Sequence, residues 1–236
     1  MFGWRAKLGI AIPSANAAME PEFNKMAPVG VAVFATRMWF TAVTEEEVNA
    51  LINYAADAGK VLKHAGVDVL GFGCTVGSMV KGKAYDQEVA ARMTEATGLP
   101  VVVTATAVVD ALKSLEVKRL SVVTPYPDWA NPKIRQFLEE HGFEVRSIKG
   151  LNCTGPDISD IPPERTYRFA VSSCKEGSQA LFISCTGFRS IEVLEHLEND
   201  LGIPVISSNQ ATFWKMLRVA GIRDRIAGYG RLLRDF

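Results

Sequence analysis

Short apolar runs alternate along this chain with longer stretches of helical periodicity. Lys7–Pro13, Val67–Phe72, Val101–Val103, Arg119–Thr124 and Leu181–Ile183 are dominated by Val, Ile and Leu. Such runs read as strands covered on both faces. Between them lie helical stretches at Glu45–His64, Gln87–Thr97, Asn131–His141, Pro163–Glu176 and Ser190–Leu201. Thr44 with Glu47 three residues on is a capping-box start for the first. Gly66, Gly98, Gly142 and Gly202 stand where helices should stop. Strand–helix alternation predicts βαβ units and a parallel sheet.

The pattern is written twice. Pro13 recurs as Pro125, Cys74 as Cys185 and Pro100 as Pro204, at offsets of 112, 111 and 104 residues. Pro13, Pro125 and both cysteines end apolar runs, Pro100 and Pro204 open them, and the three landmarks keep their order. An α/β protein of two similar doubly wound lobes is therefore expected, residues 1–112 forming the first and 113–210 the second. The tail, 211–236, opens with an amphipathic helix over Ala211–Arg218 that should pack back on the first lobe. In open parallel sheets ligands bind beyond the carboxyl ends of the strands. Ser14, Asn16, Cys74, Tyr126, Cys185 and Asn209 all fall there. With the lobes face to face, the paired motifs converge on one cleft, one thiol on each side.

Composition narrows the partner. Lys plus Arg and Asp plus Glu number 26 each. A neutral chain without a basic run has no electrostatic footprint for nucleic acid or an anionic membrane, which leaves small molecules. No stretch reaches the ~20 apolar residues of a membrane span. The opening residues lack the apolar core and cleavage site of a signal peptide, so a cytoplasmic location is expected. The four cysteines form no C-x-x-C pair and no zinc-ligand spacing, so free thiols are expected and no metal. Gly71, Gly73 and Gly77 do not follow the dinucleotide fingerprint.

A thiol at a strand end, followed by Thr and Gly and then a helix, meets backbone N–H groups and a helix dipole. Both lower its pKa and offer a cradle to a carboxylate. Cys74 and Cys185 share that context, whereas Cys153 and Cys174 read as inert small hydrophobes. His64, His141 and His196 sit within or at the ends of helices, away from the motifs, so neither thiol has a histidine base. Ser14 and Asn16 are turn residues or carboxylate binders. Tyr126 is a packed aromatic or a ligand to the same group, and Asn209 is a weak candidate.

These motifs carry a resemblance. Pro13-Ser-Ala-Asn16 with Glu20 and Glu22, the segments Gly73–Gly82 and Ala96–Pro100, Thr124-Pro-Tyr126, Ser184-Cys-Thr-Gly187 and Pro204–Asn209 resemble the aspartate/glutamate racemase superfamily over nearly the whole chain. The nearest likeness is to its maleate cis–trans isomerase and arylmalonate decarboxylase branch. The resemblance implies two Rossmann-like lobes with the active site in the cleft between them, no metal or organic cofactor, a small carboxylate substrate and a homo-oligomer. It makes Cys74 the nucleophile or base and Cys185 the acid. It gives Ser14, Asn16, Tyr126 and the backbone at Thr75, Val76, Thr186 and Gly187 the task of holding carboxylates.

Both cysteines are present, whereas arylmalonate decarboxylases carry glycine at the first position. Gly187 stands where amino-acid racemases of the superfamily usually have histidine. The expected activity is cis–trans isomerisation of maleate or a related unsaturated dicarboxylate. A two-cysteine racemase, epimerase or decarboxylase and a non-catalytic carboxylate-binding protein stay open as alternatives. Maleate isomerases also place an Asn in a loop that here contains Asn152 and Asp157, and an acid at the site would repel a dicarboxylate.

Overall fold

The computed structural model describes residues 2–236 and contains two four-stranded, all-parallel sheets. In the first, β1 (Ala6–Pro13), β2 (Val31–Met38), β3 (Val69–Phe72) and β4 (Val101–Val103) take the order β2-β1-β3-β4. In the second, β5 (Arg119–Thr124), β6 (Glu144–Gly150), β7 (Ala180–Ile183) and β8 (Val205–Ser207) repeat it as β6-β5-β7-β8. The duplicated landmarks thus mark two copies of one topology. The central strands β3 and β7 are buried at every position, as unbroken apolar runs require. Edge strands β2 and β6 are half-exposed along most of their length.

In the first half, α1 (Met19–Met26), α2 (Glu45–His64), α3 (Thr75–Met79), α4 (Tyr85–Thr97) and α5 (Thr104–Ser114) connect and cover the strands. In the second, α6 (Ala130–Glu140), α7 (Pro163–Ser173) and α8 (Leu194–Leu201) do so, followed by α9 (Ser208–Val219) and α10 (Arg231–Asp235). Thr44 caps α2 by accepting from the Glu47 N–H at 3.2 Å. The Glu47 carboxylate does not return to Thr44; it ties down Thr41 and Ala42 instead. Two helices are shorter than their pattern: α7 stops at Ser173, and α8 begins at Leu194 rather than Ser190.

Helix α9 packs on α5, α1 and β3 of the first half. Glycine in β3 permits this approach. A Cβ at Gly71 would stand 2.7 Å from Met216 Sδ of α9, and one at Gly73, just past the strand, 2.5 Å from Met19 Sδ of α1. That close packing explains the glycines the sequence spaced so unlike a nucleotide motif. No helix is long and apolar enough to cross a membrane among the described residues.

Candidate active site

Cys74 leaves the carboxyl end of β3 in extended conformation and caps the single-turn helix α3. Its Sγ accepts from the Gly77 N–H at 3.3 Å. Cys185 follows β7 in the same way, with Sγ accepting from Gly187 N–H at 3.3 Å. The second motif departs from expectation because no helix follows it directly. Thr186–Phe188 form a turn, and α8 starts six residues further on. Cys185 itself has φ +131°, a region costing a non-glycine residue about 1–3 kcal/mol and kept only where the surroundings enforce it.

The surroundings here are a crosswise set of buried hydrogen bonds between the halves. Thr186 Oγ1 donates to the Gly73 carbonyl (2.9 Å) and accepts from Asn16 Nδ2 (3.0 Å). Thr75 Oγ1 donates to Ser208 Oγ (2.8 Å), which also accepts from the Cys185 N–H (3.1 Å). The Thr186 carbonyl accepts from Asn209 Nδ2 at 2.9 Å. Asn16 Oδ1 in turn accepts from the Ala18 and Met19 N–H groups, each at 3.0 Å, fixing the entry to α1. Each cysteine loop is thereby held by residues of the opposite half or of α9.

These loops face a small cavity, with about 40 Å³ of room for the centre of a water-sized molecule. Asn16, Cys74, Thr75, Val76, Tyr126, Cys185, Thr186 and Gly187 all line it. Its outer wall is apolar: Pro13, Phe40, Ala42, Val43 and Ile158. No Lys, Arg, His, Asp or Glu is among its lining residues. Over the cleft the Val43 N–H donates to the Thr154 carbonyl (2.6 Å), joining the segment after β2 to the loop after β6.

One predicted site residue lies elsewhere. Ser14 Oγ donates to the Phe40 carbonyl (2.9 Å) and accepts from its N–H (3.0 Å), so the hydroxyl serves the loop and not the cavity. Neither Asn152 nor Asp157 lines the cavity; Thr154, Gly155, Ile158 and Ser159 of the same loop do. The exposed Asp157 carboxylate accepts from the Gly155 N–H at 2.9 Å. His64 and His196 are exposed, and His141 caps α6 with Nδ1 at 2.8 Å from the Phe137 carbonyl.

The electrostatics overturn the expectation of acidic thiols. Burial pushes Cys74 up to about 12 and Cys185 up to about 11. The Gly77 N–H offsets part of the rise at Cys74; the Tyr126 hydroxyl and the Gly187 and Phe188 amides do so at Cys185. Desolvating a thiolate outweighs what a single turn of helix returns. Burial likewise raises Tyr126, whose hydroxyl is directed at Cys185 and Thr75 without closing a full hydrogen bond.

Sequence reasoning passed over Ser208 and undervalued Asn209. The signal was the polar run Ser207–Gln210 directly after a buried strand. All four residues are fully buried, and such groups must find partners.

Two parallel α/β halves closing a pair of thiols and neutral hydrogen-bond donors around one cavity are the architecture of a two-thiol cleft enzyme. The model of the arylmalonate decarboxylase family matches residues 8–233, and the chain belongs to that family. Arylmalonate decarboxylase of Bordetella bronchiseptica is 28% identical over 232 residues, 97% of this chain and 96% of its own length. Maleate isomerase of Pseudomonas putida is 28% identical over 243 residues, 96% of each chain. A solved structure of Nocardia farcinica maleate cis–trans isomerase, a cysteine-to-serine mutant with a covalently bound succinylcysteine intermediate, superposes with a TM-score of 0.92. It shares 26% identity and covers 98% of this chain and 99% of its own.

Proposed function

We propose that the protein is a cofactor-independent cis–trans isomerase of maleate or a closely related small unsaturated dicarboxylate, acting through covalent addition of Cys74. The observation that carries this reading is the pair of thiols, one from each half, converging on a single cavity. The succinylcysteine held by the Nocardia relative supports the covalent step.

In this mechanism Cys74 Sγ, as thiolate, adds to one alkene carbon while the Cys185 thiol gives its proton to the other. A succinyl thioether forms, and its central bond is now single and rotates. Cys185 takes a proton back, the S–C bond breaks, and its electron pair returns to Cys74. The alkene re-forms as the trans isomer, with no net oxidation or reduction. The cavity's carboxylate ligands are then neutral: the Asn16 side-chain amide, the Tyr126 hydroxyl and the backbone N–H groups of Thr75, Val76 and Thr186. Such donors placed where charge develops on a carboxylate stabilise it without an ion pair. The same lining counts against an amino-acid racemase, because no acidic side chain waits for an ammonium group.

A reducing, cytoplasmic setting goes with this reading, since all four cysteines are free and Cys74 must remain a thiol. So does division of the chain into lobes near residue 112, the tail from 211 returning to the first. The test is proton NMR with maleate, beside Cys74→Ala. Fumarate forming only with the intact thiol supports the isomerase and its nucleophile together. No reaction with maleate or its small homologues would discard it.

A further inference from the structure

Glu22 is a carboxylate in the first turn of α1 that takes no part in lining the cavity, yet it is only 5% exposed. It reaches across to the other half. Oε1 accepts from the Ser190 and Ile191 N–H groups at 2.8 and 3.3 Å, and Oε2 accepts from Asn209 Nδ2 at 2.6 Å. The same Asn209 nitrogen donates to the carbonyl of Thr186, next to Cys185. One carboxylate thus joins α1, the turn after the second thiol and the start of α9.

Its charged surroundings are sparse. Glu192, from that turn, acts on it unfavourably but is itself paired with Lys25 at 2.6 Å and Arg189 at 3.3 Å. On its own helix Glu20 is paired with Arg37. The α9 side offers only the neutral Asn209. Burial dominates the rise of the Cys185 thiol, and the charge of Glu22 adds only a small part. A buried carboxylate without a cation is costly, so its retention calls for a use.

The internal duplication sharpens the point. At the offset of 112 that relates Pro13 to Pro125, the residue matching Glu22 is Ile134 of α6, fully buried. Helix α6 packs on α3, which follows Cys74. One thiol therefore has a carboxylate behind its loop and the other a hydrocarbon. We propose that Glu22 is a positioning residue for Cys185: through Asn209, the Thr186 carbonyl and the Ser190 and Ile191 amides it holds the loop in which Cys185 keeps its strained backbone. It sets where that thiol stands against a bound substrate, and not, through its charge, how acidic it is. The inference rests on the isomerase reading only for that catalytic consequence.

The test uses no substrate, so its failure is separate from failure of the isomerase reading. The protein is labelled with ¹³C at cysteine Cβ, and both thiols are titrated by NMR in the native chain, Glu22→Gln and Glu22→Asp. Without the carboxylate bridge the Cys185 resonance and its titration should both shift, because the loop that holds the sulfur relaxes. Cys74 should stay in place, and the aspartate, one methylene too short to reach all three donors, should shift Cys185 as well. In the native chain Cys185, and not Cys74, should also register the titration of Glu22 near neutral pH. This reading decides the matter if the variants do not fold. A Cys185 profile unchanged in Glu22→Gln, both thiols shifting together, or no native response near neutrality would each overturn the proposal.

Discussion

Replacing Glu22 by glutamine should change how stability depends on pH. Burial raises the Glu22 carboxyl from 4.5 to about 7, against the opposing pull of Asn209 and the Ser190 and Ile191 amides. The folded chain therefore holds this proton more tightly than the unfolded chain. Its stabilising contribution is present in full below pH 4.5 and is lost as pH rises through about 7. The difference between the two values corresponds to about 3 kcal/mol. Glutamine keeps the shape but has no proton to lose. Urea denaturation of both proteins from pH 4.5 to 8 should show the variant gaining about 3 kcal/mol on the native chain. Most of the change should fall between pH 5 and 7. A difference between the two that is the same at every pH would refute the reasoning, because Glu22 would then ionise as an ordinary carboxyl.

Further outcomes follow from the site. With Cys74 pushed up to about 12, its thiolate is scarce at neutrality. Turnover per unit enzyme at low substrate should rise about tenfold per pH unit from pH 7 to 9; a plateau from pH 7 would mean an acidic thiol after all. Asn16→Ala removes acceptors from Ala18 and Met19 and a donor from Thr186. It should cost about 1–3 kcal/mol in denaturant unfolding and lower turnover, and a neutral effect on both would count against its bridging role. In Gly77→Ala the new Cβ would stand 2.8 Å from Leu51 Cδ2 and 2.9 Å from Cys74 Sγ. Overpacking of about 1–3 kcal/mol, read from the melting temperature, should accompany a displaced thiol and lost activity.

Much of the frame was legible because duplication supplies its own control: a run ending in Pro or Cys, seen twice, is a strand end. Elements without such a landmark went unnamed, among them α1, β2 and α5. Strand β2 is an edge strand, and Val31–Met38 carries no motif that recurs. A place on the cavity wall was readable for Cys74, Tyr126 and Cys185, each two residues past a strand. It was not readable where the partner is remote. Asn209 meets Glu22 across 187 positions of sequence, and Ser14 looks like a ligand until Phe40 takes its hydroxyl. The thiol pKa values failed to follow local sequence for a related reason. A helix terminus is a local feature, whereas desolvation is set by everything packed around the sulfur.

The crosswise bonds among Gly73, Thr75, Thr186 and Ser208 have a consequence for traffic. Spreading the halves like a hinge would tear buried polar contacts in the floor of the cleft while the strained Cys185 loop depended on them. The covering segment Phe40–Val43 is held to the opposite loop at Val43 by a single backbone bond. Parting that segment from the opposite loop breaks one backbone bond, whereas spreading the halves breaks several buried side-chain bonds at once.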